Sequence, residues 1–240
     1  MIDKNSPLPI YYQIQEMIRK KIDTGQWQPG DMLPSERIFS EDFDVSRMTV
    51  RQAVTELAKE GVLQREKGKG TFVAEPKIEQ PLQGLTSFTE DMKARGLKPG
   101  SALVQYQLRK APKKVAEALQ TSTDTQVYEI KRVRMADDVP MAYETTFINK
   151  EIAGDLPEDV ENRSIYSFLE QEKNLKIGGG EQTFEASLAN TEEAENLAIE
   201  EGAPVLLIQR ATYLEDGTPL EYVKSAYRGD RYKFTINMPR

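Results

Sequence analysis

Apolar residues recur with helical spacing at the start of the chain and alternate with polar ones over most of the remainder. From Pro9 to Asp23, Ile10, Ile14, Met17, Ile18 and Ile22 form one stripe, and Gly25 follows as a stop, which predicts a first helix. The turn-rich run GQWQPGDMLPSER comes next, and in it Ser35 can cap a short second helix with Ile38, Phe39 and Phe43 inward, ending near Asp44. A third helix has Ser46 as its cap, Val50, Val54 and Leu57 on its inner side and Gly61 as its stop. VLQREKGKGTFVA then predicts a hairpin, with Val62 and Leu63 before a Lys67-Gly68-Lys69-Gly70 tip and Phe72 and Val73 after it.

The pattern changes after AEPKIEQPLQGL, whose prolines and mixed polarity suit a connector. SALVQYQLRK, TQVYEIKRVRMA, VPMAYETTFI, QTFEASLA, APVLLIQRATYL and LEYVKSAYRG alternate and read as strands. The short turns ADDVP and EDGTP predict antiparallel hairpins, and helical spacing is confined to VAEALQ, SIYSFLEQE and EEAENLAIE. The expected class is α+β, with residues 1–74 forming one domain, 75–87 a linker and 88–240 a second domain built on an antiparallel sheet.

Charge sharpens this division. Residues 1–74 carry 11 basic and 11 acidic side chains, so the whole net charge of -7 lies in the second part. Any binding of DNA must then come from a local patch rather than from overall basicity. The chain has neither Cys nor His, which removes the usual zinc ligands and the Ser-His and Cys-His dyads and leaves little catalytic inventory. No run approaches the roughly 20 apolar residues that span a bilayer, and MIDKNSPLPIYYQ has no export signal, so a cytoplasmic location without membrane contact is expected.

Such a patch is at hand in the first domain. Arg47 and Arg51 stand four residues apart on the helix face opposite its apolar stripe. The glycines at the hairpin tip allow close approach to a narrow groove, and Lys67 and Lys69 offer charge to phosphates. Three helices, a short turn and a Gly/Lys wing together fit a winged helix-turn-helix, whose second paired helix enters the major groove of double-stranded DNA.

In the second domain, period two places Arg132 and Arg134 on the same strand face as Tyr128 and Ile130. Guanidinium groups on a buried face need an anion, which a ligand phosphate or a protein carboxylate can supply. Glu144, Ser164, Tyr166 and Tyr227 are further polar candidates, but spacing alone does not bring them together.

PIYYQIQEMIRKKIDTGQWQPGDMLPSER and SRMTVRQAVTELAKEGVLQREKGKGTFV resemble the DNA-binding domain of the GntR family of bacterial regulators. The resemblance implies operator contacts from Ser35, Arg37, Ser46, Arg47, Thr49, Arg51 and the wing residues Lys67, Gly68, Lys69 and Gly70. Arg47 and Arg37 are the first candidates for base edges, since Arg can hold guanine bidentately. SFTEDM, IKRVRMADDVPMAYETTFI, SIYSFLE and YRGDRYKF resemble the HutC-type sensor domain of the same family, and more narrowly the repressors of N-acetylglucosamine catabolism.

That second resemblance implies a chorismate-lyase-like fold and a homodimer; no cofactor is expected. It implies an effector that is glucosamine 6-phosphate or N-acetylglucosamine 6-phosphate. Its phosphate would lie among Thr89, Arg132, Arg134, Ser164 and Tyr166, and its sugar would face Phe88, Glu144 and Tyr227. Ligand is expected to order the segment around Thr89 and so redirect the DNA-binding heads. The alternative from another class is an enzyme of the same fold acting on a sugar phosphate.

Overall fold

In the computed structural model, which describes residues 2–66, 68–82, 84–157 and 164–238, the chain divides into two compact units, Met1–Lys77 and Ile78–Arg240. The first unit holds α1 (Ile10–Asp23), α2 (Glu36–Phe43), α3 (Arg47–Lys59) and a hairpin of β1 (Leu63–Glu66) and β2 (Gly70–Val73). The Ser35 hydroxyl accepts from the Ile38 amide at 3.3 Å and that of Ser46 from the Thr49 amide at 3.1 Å. Each cap satisfies an amide that the helix itself leaves unpaired. Ile14, Ile18, Val50, Val54 and Leu57 meet Leu33, Phe39, Leu63 and Val73 in one core. At the end of the wing, Gly70 has φ +142°, and a Cβ there would stand 3.3 Å from the Met32 Sδ, so a side chain would be both strained and crowded.

The second unit runs β3 (Ile78–Pro81), α4 (Phe88–Ala94), β4 (Pro99–Lys110), α5 (Lys113–Ala118), β5 (Gln126–Ala136), β6 (Val139–Asn149), α6 (Lys150–Ala153), α7 (Ile165–Gln171), β7 (Ile177–Leu188), α8 (Thr191–Leu197), β8 (Pro204–Leu214), β9 (Pro219–Arg228) and β10 (Tyr232–Thr235). The six long alternating segments make one antiparallel sheet in the order β4-β5-β6-β9-β8-β7. Asp137 and Asp138, at φ 49° and 65°, turn β5 into β6 with the two left-handed residues of a type I′ hairpin.

Two features differ from the pattern-based expectation. Residues 78–81, expected within a linker, form β3 and pair in parallel with β10 from Ile78↔Tyr232 onward, so the division falls after Lys77. That contact joins residues far apart in sequence, which local composition cannot reveal. Helices α4 and α6 lie outside the three predicted for this part, although Ser87 and Glu90 form a full capping box at the start of α4. That S-x-x-E spacing is a legible start signal.

The sheet is covered on both faces. Tyr128 and Ile130 pack under α6 and α7, while Val127 and Val133 pack against α5 and α8 on the reverse. The second face accounts for the nearly unbroken burial along β5, where simple alternation predicts one wet side.

Leu57 is fully buried and Arg47 is exposed, so Leu57→Ala is expected to cost about 2–5 kcal/mol of unfolding free energy and Arg47→Ala no more than about 0.5. Urea titration followed by circular dichroism measures both.

Candidate functional site

The first unit presents the first turn of α3, the start of α2 and the wing. Arg47, Arg51, Ser46 and Ser35 are exposed, and the Ser46 and Thr49 hydroxyls stand 2.8 Å apart. Arg37 is paired with Glu41 at 2.8 Å, and Arg51 and Arg65 share Glu36 at 3.0 Å each. Such exposed pairs contribute little and exchange readily for phosphate. Arg47 makes no ion pair among the described residues. Gly68, Lys69 and Gly70 are exposed at the wing, with Lys69 3.0 Å from Glu66, and Lys67 lies outside the described residues.

In the second unit, β5, β6, β9 and β8 form the floor of a pocket on one sheet face. Arg132 stands across from Glu144, Glu144 from Ser225 and Ser225 from Ile208. A parallel row runs Arg134, Ala142, Tyr227 and Leu206. One wall is formed by Gln80, Thr86, Ser87, Phe88 and Asp91, and another by the start of α7 with Ser164, Ile165 and Tyr166. Together they enclose about 60 Å³.

A β-bulge decides which side chains share this floor. From the hairpin turn the register begins as Ala136↔Val139 and Met135↔Pro140, then shifts to Arg134↔Ala142, leaving Met141 as an extra residue on β6. Had the starting register continued without the bulge, Arg132 would face Tyr143, and Glu144 would point to the opposite side of the sheet. With it, the Arg132 Nη2 reaches the Glu144 Oε1 at 2.5 Å.

The second arginine is placed differently. Arg134 is only 4% exposed, donates to the Thr89 hydroxyl at 3.1 Å and the Ser101 hydroxyl at 3.4 Å, and lies 4.9 Å from the Phe88 ring centroid. It has no carboxylate within ion-pair distance among the described residues, and its Nε is buried without a hydrogen-bond partner. Burial pulls its pKa below the usual guanidinium range; Glu144 opposes that pull and Arg132 adds to it.

Burial alone would push the Glu144 carboxyl up, but Arg132 and Arg134 outweigh it and hold the group below its ordinary value. Glu221 shows the reverse. Burial pushes it above the usual carboxylate range although the Tyr166 and Thr212 hydroxyls both donate to it. Burial likewise pushes the Tyr227 phenol up to about 12.

The structure thus brings Phe88, Arg132, Arg134, Glu144, Ser164, Tyr166 and Tyr227 together around one cavity, and Thr89 touches it through Arg134. The Ser164 hydroxyl also caps α7, accepting from the Ser167 amide at 3.3 Å. Sequence reasoning missed Arg210 and Glu221, which complete the floor, and Asp91, which holds Gln80 and Thr86 in the wall. Arg210 carried a signal in its alternation with Ile208 and Thr212 along an apolar strand. Nothing local marked Asp91. Groups of His, Cys, Asp and Glu able to hold a metal ion are absent among the described residues.

Residues 10–73 match the family described as "Bacterial regulatory proteins, gntR family", and residues 94–233 match the UTRA domain. The chain is 52% identical over its whole length to 98% of the HTH-type transcriptional repressor NagR of Bacillus subtilis (strain 168). It is 34% identical over 95% of both chains to the mannosyl-D-glycerate transport/metabolism system repressor MngR of Escherichia coli (strain K12). Among solved structures, PhnF from Mycobacterium smegmatis superposes with a TM-score of 0.66 at 33% identity, covering 95% of this chain and 98% of PhnF.

Removing Glu144 leaves the Arg132 charge buried, so Glu144→Ala is expected to cost about 3–5 kcal/mol near neutral pH. The folded-state pKa of Glu144 is lowered, so its contribution is present above the unfolded value of roughly 4.3 and is lost as pH falls through the folded value. Denaturant titrations of wild type and Glu144→Ala should therefore converge as the pH is lowered below that of unperturbed carboxylates.

Proposed function

The chain belongs to the gntR family of bacterial regulatory proteins and is a DNA-binding transcription regulator with an effector-binding UTRA domain; from this premise we propose that it represses genes of amino-sugar uptake and catabolism and leaves its operator on binding an amino sugar phosphate. The matched domains and relatives are those of transcription regulators and not of enzymes, so the enzyme alternative falls. The observation that carries the effector assignment is Arg134, a buried guanidinium bonded to neutral hydroxyls and in want of an anion. Similarity to the repressor NagR, together with the resemblance of SFTEDM and YRGDRYKF to repressors of N-acetylglucosamine catabolism, supports glucosamine 6-phosphate or N-acetylglucosamine 6-phosphate as that anion.

In this reading Arg134, Arg132, Thr89, Ser164 and Tyr166 hold the phosphate, while Glu144, Tyr227 and Phe88 meet the sugar. The 60 Å³ enclosed here is far below the ~300–1,000 Å³ of pockets that take small molecules, so the walls part on entry. A phosphate on Arg134 competes for the bonds that tie Thr89 to the floor, and the loosened wall is the stretch that starts directly after the DNA-binding unit at Ile78. The segment around Thr89 is already helical as α4, so ligand shifts this helix rather than forming it. Operator contacts come from Ser35, Arg37, Ser46, Arg47, Thr49, Arg51 and the wing, and a cytoplasmic homodimer reads a two-fold site.

Fluorescence anisotropy of a palindromic operator duplex at fixed salt, titrated with each sugar phosphate, tests the assignment. One of the two should release the wild type. Arg134→Gln should raise the concentration needed by about 10- to 100-fold while leaving operator affinity unchanged, and Arg47→Ala should weaken the operator itself. Tight operator binding indifferent to both sugars would overturn the effector assignment.

A further inference from the structure

In the first two turns of α3 the outermost side chain is neither of the helix's arginines. Val50, Ala53, Val54 and Leu57 are the buried residues of this helix and define its inward direction. At 100° per residue, Met48 projects about 170° from their mean direction, whereas Arg47 and Arg51 lie on one flank at about 70° and 110°. Met48 is 68% exposed, in the first turn, between the capping pair Ser46 and Thr49. Its thioether is therefore presented away from the domain by a helix whose N-terminal cap fixes the orientation of that turn.

A helix that enters the major groove with its buried stripe toward the protein puts the opposite position deepest, at the base edges. A flexible apolar side chain there has one apolar counterpart among the base edges, the 5-methyl of thymine. We propose that Met48 reads a T·A pair through that methyl group, beside the polar contacts of Arg47 and Arg51. Gln52, also exposed and one turn further along the same outer row, extends the neutral strip that the two arginines flank.

The inference rests on α3 as the DNA-reading helix and is independent of the effector. Duplexes selected by the wild-type protein from a randomised pool would be resynthesised with deoxyuridine in place of each thymidine, which removes only the methyl. At one position in each half-site the wild type should lose about fourfold in affinity, the equivalent of one buried methyl group. Met48→Ala should bind the thymidine and deoxyuridine duplexes alike, and Met48→Leu should restore the difference.

Wild-type indifference to uridine at every position, or unchanged discrimination in Met48→Ala, would overturn the proposal. Arg47→Ala measured in parallel separates the two levels of failure. If neither Arg47→Ala nor Met48→Ala alters affinity, the helix itself is misassigned; if only Met48→Ala is silent, the methyl contact alone is wrong.

Discussion

The ion pair between Arg132 and Glu144 is the constraint around which the second unit is arranged. Two charges on a buried sheet face cost several kcal/mol each to desolvate, and their mutual attraction offsets that only at contact distance. They meet because one extra residue, Met141, shifts the register of β6 and turns Glu144 onto the face that Arg132 occupies. The same shift sets Ala142 opposite Arg134, so the second arginine finds a small neutral neighbour where the first finds a carboxylate. One strand thereby offers a guanidinium paired with a carboxylate and, two residues on, one whose hydrogen bonds among the described residues go to hydroxyls.

The charges of the two units work in opposite regimes. On the first unit, Arg37, Arg51 and Lys69 are held by carboxylates at exposed sites, where water weakens each pair and an incoming phosphate can replace the partner. In the pocket, burial pushes Glu221 up and Arg134 down, so each charge there depends on its few immediate neighbours. A domain with no net charge can thus face DNA, and an acidic domain can still gather three arginines around one cavity.

The pocket also depends on coverage of the sheet from both sides. Helices α5 and α8 occupy the reverse face, and α6 and α7 hold one end of the front face. Over the pocket the front face is covered by Gln80 and residues 86–91, tied down by Asp91 and by the bond from Arg134 to Thr89. A ligand that draws on Arg134 therefore acts on the wall and the floor together.

Local patterns determined the elements: the helix caps at Ser35 and Ser46, the wing glycines, the six alternating strands and the two arginines placed against apolar neighbours were all legible, because dihedral preference and side-chain periodicity are properties of short segments. The motifs of the two domains also announced their family. Tertiary structure alone decided that β3 joins β10, that Arg210 and Glu221 complete the floor, that Asp91 fastens its wall, and that Glu144 faces Arg132 and not the far side of the sheet. These are pairings between distant segments, or depend on a one-residue bulge that inverts a face, and no periodicity within a single strand carries that information.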